Sequence, residues 1–115
     1  MQKRWAFSTF FVMVFVAVVM VGAGVDRGLE RFFMDGGKRG TVDFPHHMHQ
    51  DALADCGACH DLFPKSPGAI QEMKSSGSLK KKQVMNSKCI ACHRKLKEEK
   101  QASGPVKCGQ CHTRT

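Results

Sequence analysis

Cys56-Gly-Ala-Cys59-His60, Cys89-Ile-Ala-Cys92-His93 and Cys108-Gly-Gln-Cys111-His112 repeat one five-residue pattern three times in the second half of the chain. All six cysteines of the 115-residue sequence lie in these three units. C-x-x-C-H is the attachment signature of c-type haem. Its two thiols add to the vinyl groups of the porphyrin, and the adjoining histidine reaches the iron as an axial ligand. Read this way, the six cysteines attach three haem c groups, with His60, His93 and His112 as proximal ligands.

C-x-x-C pairs also occur in zinc ribbons and in thioredoxin-like redox sites. A zinc ribbon needs two pairs, and three would leave one over. A thioredoxin-like site needs a βαβ setting, which this sequence lacks. Six cysteines in an oxidising compartment could also close three disulfides. None of these explains a histidine directly after every second cysteine. With six His in 115 residues, three such placements by chance are on the order of one in 10⁴, and only the haem motif requires them.

Composition agrees with a fold built around its cofactors. The chain is short enough for one small domain, and at this size an apolar core alone is marginal. There is no Tyr, and the segment after Arg39 is rich in Lys, Gly, Ser and His. Covalently held porphyrins would supply the missing apolar bulk. The formal net charge is +8, which invites a nucleic-acid reading. From Asp26 onward, however, the balance is +6, with 16 Lys and Arg against 10 Asp and Glu. Six haem propionates would offset it, and no nucleic-acid motif is present, so nucleic acid is not expected as a partner.

Met1-Gln-Lys-Arg4 is a short basic head, and residues 5–25 (WAFSTFFVMVFVAVVMVGAGV) contain no charged side chain. A run of that length suits one transmembrane helix, with the basic head on the cytoplasmic side. A cleaved signal is the rival, because Val21-Gly-Ala23 is a small-residue cleavage site; signal cores are shorter, which favours the anchor. Both readings export the rest of the chain to the periplasm. The expected organisation is a membrane segment at 1–25, a juxtamembrane linker at 26–40 and a haem domain at 41–115. Within the linker, DRGLERFF either continues the helix or stays irregular, and the glycines at 36, 37 and 40 break the chain.

Thr41-Val-Asp-Phe44 reads as a short strand ending at Pro45. Three histidines follow in four positions: His46, His47 and His49. Such a tract can bind zinc or lie exposed; so near a haem motif, axial ligation is the better expectation. His46 and His49 project from one side of a helical turn and would reach two different irons, while His47 points elsewhere. Residues 61–88 read as loop. Lys80, Lys81 and Lys82 within it are a solvated surface or a docking patch for an acidic partner. Residues 94–101 (RKLKEEKQ) read as a short exposed helix ended by Ser103-Gly-Pro105.

Phe44-x-His46-x-x-His49 ahead of Cys56-x-x-Cys59-His60, followed by two more haem motifs, resembles the triheme cytochromes c7 of the cytochrome c3 group, the class III c-type cytochromes. The likeness covers roughly residues 41–112 and is closest in FPHHMHQDALADCGACH and GPVKCGQCH. It implies a small, mostly irregular α+β fold with a small N-terminal β element and short helices around three haems, and periplasmic electron transfer rather than catalysis. By position it pairs His46 with His60 on the first haem and His49 with His93 on the second. His112 would hold the third, whose distal histidine in the family lies four residues before the second motif. Here that position is Met85, and no histidine occurs between His60 and Cys89. At this departure a thioether is expected to take the histidine's place, giving two bis-His haems and one His/Met haem of higher potential; the alternative is that Met85 only packs and that His47, Met73 or no residue fills the site.

The leading expectation is a membrane-tethered, periplasm-facing triheme relay working with redox proteins, among them subunits of a membrane oxidoreductase. A diffusible shuttle after signal cleavage is the alternative. A reductase of a small nitrogen or sulfur oxyanion would need an open position on the third haem.

Overall fold

The computed structural model describes residues 24–114. The run read as a membrane segment lies, apart from its last two residues, outside the described part. Among the described residues no helix is long and apolar enough to cross a membrane.

Three strands form one antiparallel sheet in the order β1 (Phe32–Asp35), β2 (Thr41–Phe44), β3 (His112–Thr113). The first hairpin turns through Gly36 and a 3-10 turn at Gly37–Arg39, and Gly40 (φ +97°) returns the chain to β2. Phe32 faces Phe44 across the pair, with ring centres 5.3 Å apart. An aromatic contact of this kind contributes about 0.5–1.5 kcal/mol beyond its burial. β3 closes the other edge, placing Thr113 opposite Thr41 and His112 opposite Val42. The two ends of the haem-motif region thus meet in one sheet.

Pro45 ends β2, and α1 (His46–Leu53) starts on the next residue. It stops at Ala54, which adopts the left-handed conformation (φ 51°) and donates its amide to the Gln50 carbonyl at 2.9 Å. The Asp55 carboxylate accepts the Gly57 amide at 2.8 Å, an Asx turn that opens α2 (Gly57–His60) inside the first motif. α3 (Ala69–Ser75) follows Gly68 (φ +77°). A π-helical turn, Met85–Cys89, runs directly into α4 (Ile90–Glu98). α5 (Cys108–Cys111) carries the third motif into β3.

Strand β2 is where the sequence puts it; the helix read at residues 94–101 is present but runs from Ile90 to Glu98, starting inside the second motif and ending before Ser103-Gly-Pro105, because Lys100 turns to φ 57°. Two segments differ. Residues 26–40, read as a linker, hold β1 and lie against α1 instead. The helical option for DRGLERFF fails because its two phenylalanines begin a strand, where Phe32 gains the Phe44 contact. Residues 61–88, read as loop, contain α3. That helix shows Ile70 and Met73 at helical spacing after Pro67-Gly68, a signal masked by the serines and glycines around it.

Among the described residues Ala69 and Leu79 are the buried hydrophobic ones, 5% and 3% exposed. At roughly 25 cal/mol per Å², two such side chains fall far short of the ordering entropy of a domain this size.

Candidate haem-binding site

Five histidines share one arrangement. His46 donates Nδ1–H to the Leu29 carbonyl (2.9 Å), His49 to Pro45 (2.9 Å) and His60 to Phe63 (3.2 Å). His93 donates to Pro105 (2.7 Å) and His112 to Gly40 (3.3 Å). A carbonyl only accepts, so each bond fixes the proton on Nδ1. The lone pair on Nε2 is then free for a metal, the orienting contact that metal-bound histidines commonly make. These are the five histidines read as axial ligands. His47, the sixth, is arranged the other way round: its Nε2 bonds to the Gly28 carbonyl at 3.0 Å.

The ring separations fit shared irons. With a metal–nitrogen bond of about 2.0–2.1 Å and roughly another 1.1 Å to the ring centre, two imidazoles on one metal have centres roughly 6.3 Å apart. His46 and His60 lie 6.3 Å apart, and His49 and His93 lie 6.2 Å apart. Their interplanar angles are 79° and 24°. Phe44 stacks on His49 at 4.3 Å, and Phe32 meets His46 edge-on at 5.6 Å. The small sheet therefore holds both rings contributed by α1.

Glycines make room for the rings of His93 and His112. A Cβ on Gly104 would fall 2.6 Å from His93 Nε2, and one on Gly36 would sink into the His112 ring. The sequence reading missed both glycines, since their role depends on a ring far away in the chain. His112 lines an open hollow together with Arg39, Cys108, Gly109 and Arg114.

All six cysteines are free of disulfides. Burial pushes the Cys59, Cys89 and Cys111 thiols up; Lys88 opposes this at Cys59, and Cys59 and Cys111 add to it at Cys89. The three motifs thus approach one another around Cys89. A thioredoxin-like site would need a thiol lowered in pKa, the opposite of what burial does here. Among the described residues no three His, Cys, Asp or Glu side chains gather as a zinc cage would require. The Lys88 ammonium, 19% exposed, pairs with Asp61 at 2.5 Å, which ties the residue after His60 to the residue before Cys89.

Met85 is half-buried at the start of the π-helical turn. The Ile90 amide bonds back to its carbonyl, the i→i+5 bond of a π turn. Lys80, Lys82, Gln83, Asn86 and Ser87 line an open hollow on the outer side of this turn, so the triple lysine lies at the surface.

A model of the class III cytochrome c family matches residues 30–112. The cytochrome c7 of Geobacter metallireducens is 36% identical over 75 residues, covering 65% of this chain and 67% of the relative. The cytochrome c3 of Desulfuromonas acetoxidans is 34% identical over 75 residues, covering 65% and 85%. Among solved structures, PpcC, a cytochrome c7 from Geobacter sulfurreducens, superimposes with a TM-score of 0.52 at 33% identity, over 76% of this chain and 100% of that one. The triheme cytochrome PpcA of the same organism gives 0.53 at 34% identity, over 75% and 100%.

Proposed function

The chain belongs to the class III cytochrome c family; from that membership, together with the uncharged run at residues 5–25, we propose that it works as a membrane-tethered, periplasm-facing triheme relay. It is a c7-type cytochrome carrying three covalently attached haem c groups, and it transfers electrons and is not an enzyme. The haems supply one-electron chemistry at iron.

The chain's own residues bind and orient. Cys56, Cys59, Cys89, Cys92, Cys108 and Cys111 form the thioether links. His46 with His60, and His49 with His93, hold two irons between them. His112 would hold the third, with Met85 as its second ligand. The observation that carries this reading is the shared Nδ1-to-carbonyl bond of the five histidines. It leaves Nε2 of each free for iron and sets His47 apart.

Two strong ligands on each iron leave no position for substrate, which favours a relay over a reductase. The tether rests on the uncharged run at residues 5–25. Redox proteins, including subunits of a membrane oxidoreductase, are its expected partners. Intact mass of the protein from membrane and soluble fractions tests the whole reading. A full-length chain plus three haems in membranes supports it. A chain beginning near Gly24 in the soluble fraction would make it a diffusible periplasmic shuttle instead.

A further inference from the structure

On leaving the apolar run the chain lies at once along α1, as a strap. Four successive carbonyls accept hydrogen bonds from that helix. Arg27 O accepts from Gln50 Nε2 (2.9 Å), and Gly28 O from His47 Nε2 (3.0 Å). Leu29 O accepts from His46 Nδ1 (2.9 Å), and Glu30 O from the His47 amide (3.0 Å). The Arg27 guanidinium returns bonds to Gln50 Oε1 (3.1 Å), the His47 carbonyl (3.3 Å) and Asp51 (2.6 Å). Each bond is exposed and worth about 1 kcal/mol or less, but together they pin residues 27–30 in one place.

The strap leaves little slack. Val25 ends the uncharged run, and Gly28 is three residues further, at most about 11 Å of extended chain. A Cβ on Gly28 would lie 3.7 Å from Cε1 of His46, so an axial ligand sits beside the foot of that run. The large hydrophobic side chains exposed among the described residues are Val25 (85%), Leu29 (64%), Phe33 (72%) and Met48 (62%). Val25 ends the uncharged run, and the other three lie on the strap, β1 and α1. Asp26, Arg27, Glu30 and Arg31 are exposed among them, Arg27 and Arg31 paired with Asp51 and Asp43; at the far end of the sheet Lys38, Arg39 and Arg114 are exposed with no large apolar side chain beside them, next to His112 and the Gly36–Gly40 turn.

We propose that this apolar corner rests on the lipid bilayer, so that the His46/His60 pair is held at the membrane side and His112 is turned away from it. The proposal rests on the reading of residues 5–25 as a retained tether. With that tether the strap removes the swing a free linker would allow. Scattered exposed apolar residues mean little alone; here they are confined to the corner where an apolar run enters.

The test is photolabelling of the full-length, haem-loaded protein in vesicles of phosphatidylcholine and phosphatidylglycerol doped with a diazirine-bearing phospholipid. Adducts are located by mass spectrometry. Labels are expected within residues 5–25 and on Leu29, Phe33 and Met48, and none on residues 80–114. Phe33→Ser and Met48→Ser should each lower labelling of the domain several-fold without changing that of residues 5–25. Labels confined to residues 5–25, or spread evenly over the domain, would overturn the orientation while leaving the tether standing. A shortened chain that stays off the vesicles would overturn both.

Discussion

Gly104 lies flat against the His93 ring, so close that a methyl group there would fall 2.6 Å from Nε2 and 2.8 Å from Nδ1. The next residue, Pro105, accepts the Nδ1 proton of the same ring. One dipeptide therefore sets both the position and the tautomer of a ligand eleven residues earlier. Gly104→Ala should displace His93 and lower unfolding stability by about 1–3 kcal/mol, the usual range for overpacking. In a potentiometric titration the haem shared by His49 and His93 should move while the other two hold. Three unchanged potentials would mean that the ring does not carry iron.

Met85 should give the third haem its own signature. Thioether ligation raises haem potential relative to a second histidine, so one of the three midpoints is expected above the other two. The oxidised protein should show the near-infrared sulfur-to-iron charge-transfer band. Met85→Leu should abolish that band and allow carbon monoxide to bind one reduced iron in three. A band that survives the substitution would move the ligand elsewhere, with Met73 the next position to replace.

The haem motifs were legible because covalent attachment demands fixed residues at fixed spacing, whatever the surrounding fold. Strand β2 was legible from Thr41-Val-Asp-Phe44 and the proline after it. What stayed hidden depends on contacts distant in sequence. Gly36 and Gly104 look like ordinary turn residues until His112 and His93 are set against them. Residues 26–30 look like a polar linker because their role is played by backbone carbonyls, which carry no side-chain signal. His47 could be set aside from helix geometry alone, and its bond to Gly28 gives that choice a physical cause.

The crossed and near-parallel ring pairs make a spectroscopic prediction. Imidazole planes at 79° for His46 and His60 leave the iron d orbitals nearly degenerate, while planes at 24° for His49 and His93 split them. Low-temperature electron paramagnetic resonance of the oxidised protein should therefore show one low-spin signal with a large maximal g value and one ordinary rhombic signal. His46→Met should remove the first and spare the second. A wild-type spectrum of three haems with no signal of large maximal g value would contradict the crossed geometry.

Lys88 and Asp61 join the first two motifs through a contact of 2.5 Å, and the two partners contribute unequally. Lys88 is 19% exposed and Asp61 61% exposed, so solvent screens the carboxylate and the pair stabilises the fold by only about 1 kcal/mol. Lys88→Gln should lower unfolding stability by that order and remove a cation close to Cys59, one of the two attachment points of the first haem. A nearby positive charge favours the reduced, less positive iron, so its loss should lower the midpoint of the haem on Cys56 and Cys59 more than that of the other two. Asp61→Asn unpairs the ammonium and should shift the same midpoint upward. Opposite shifts from the two single variants are the required result, since a purely packing role would move both in the same direction or neither.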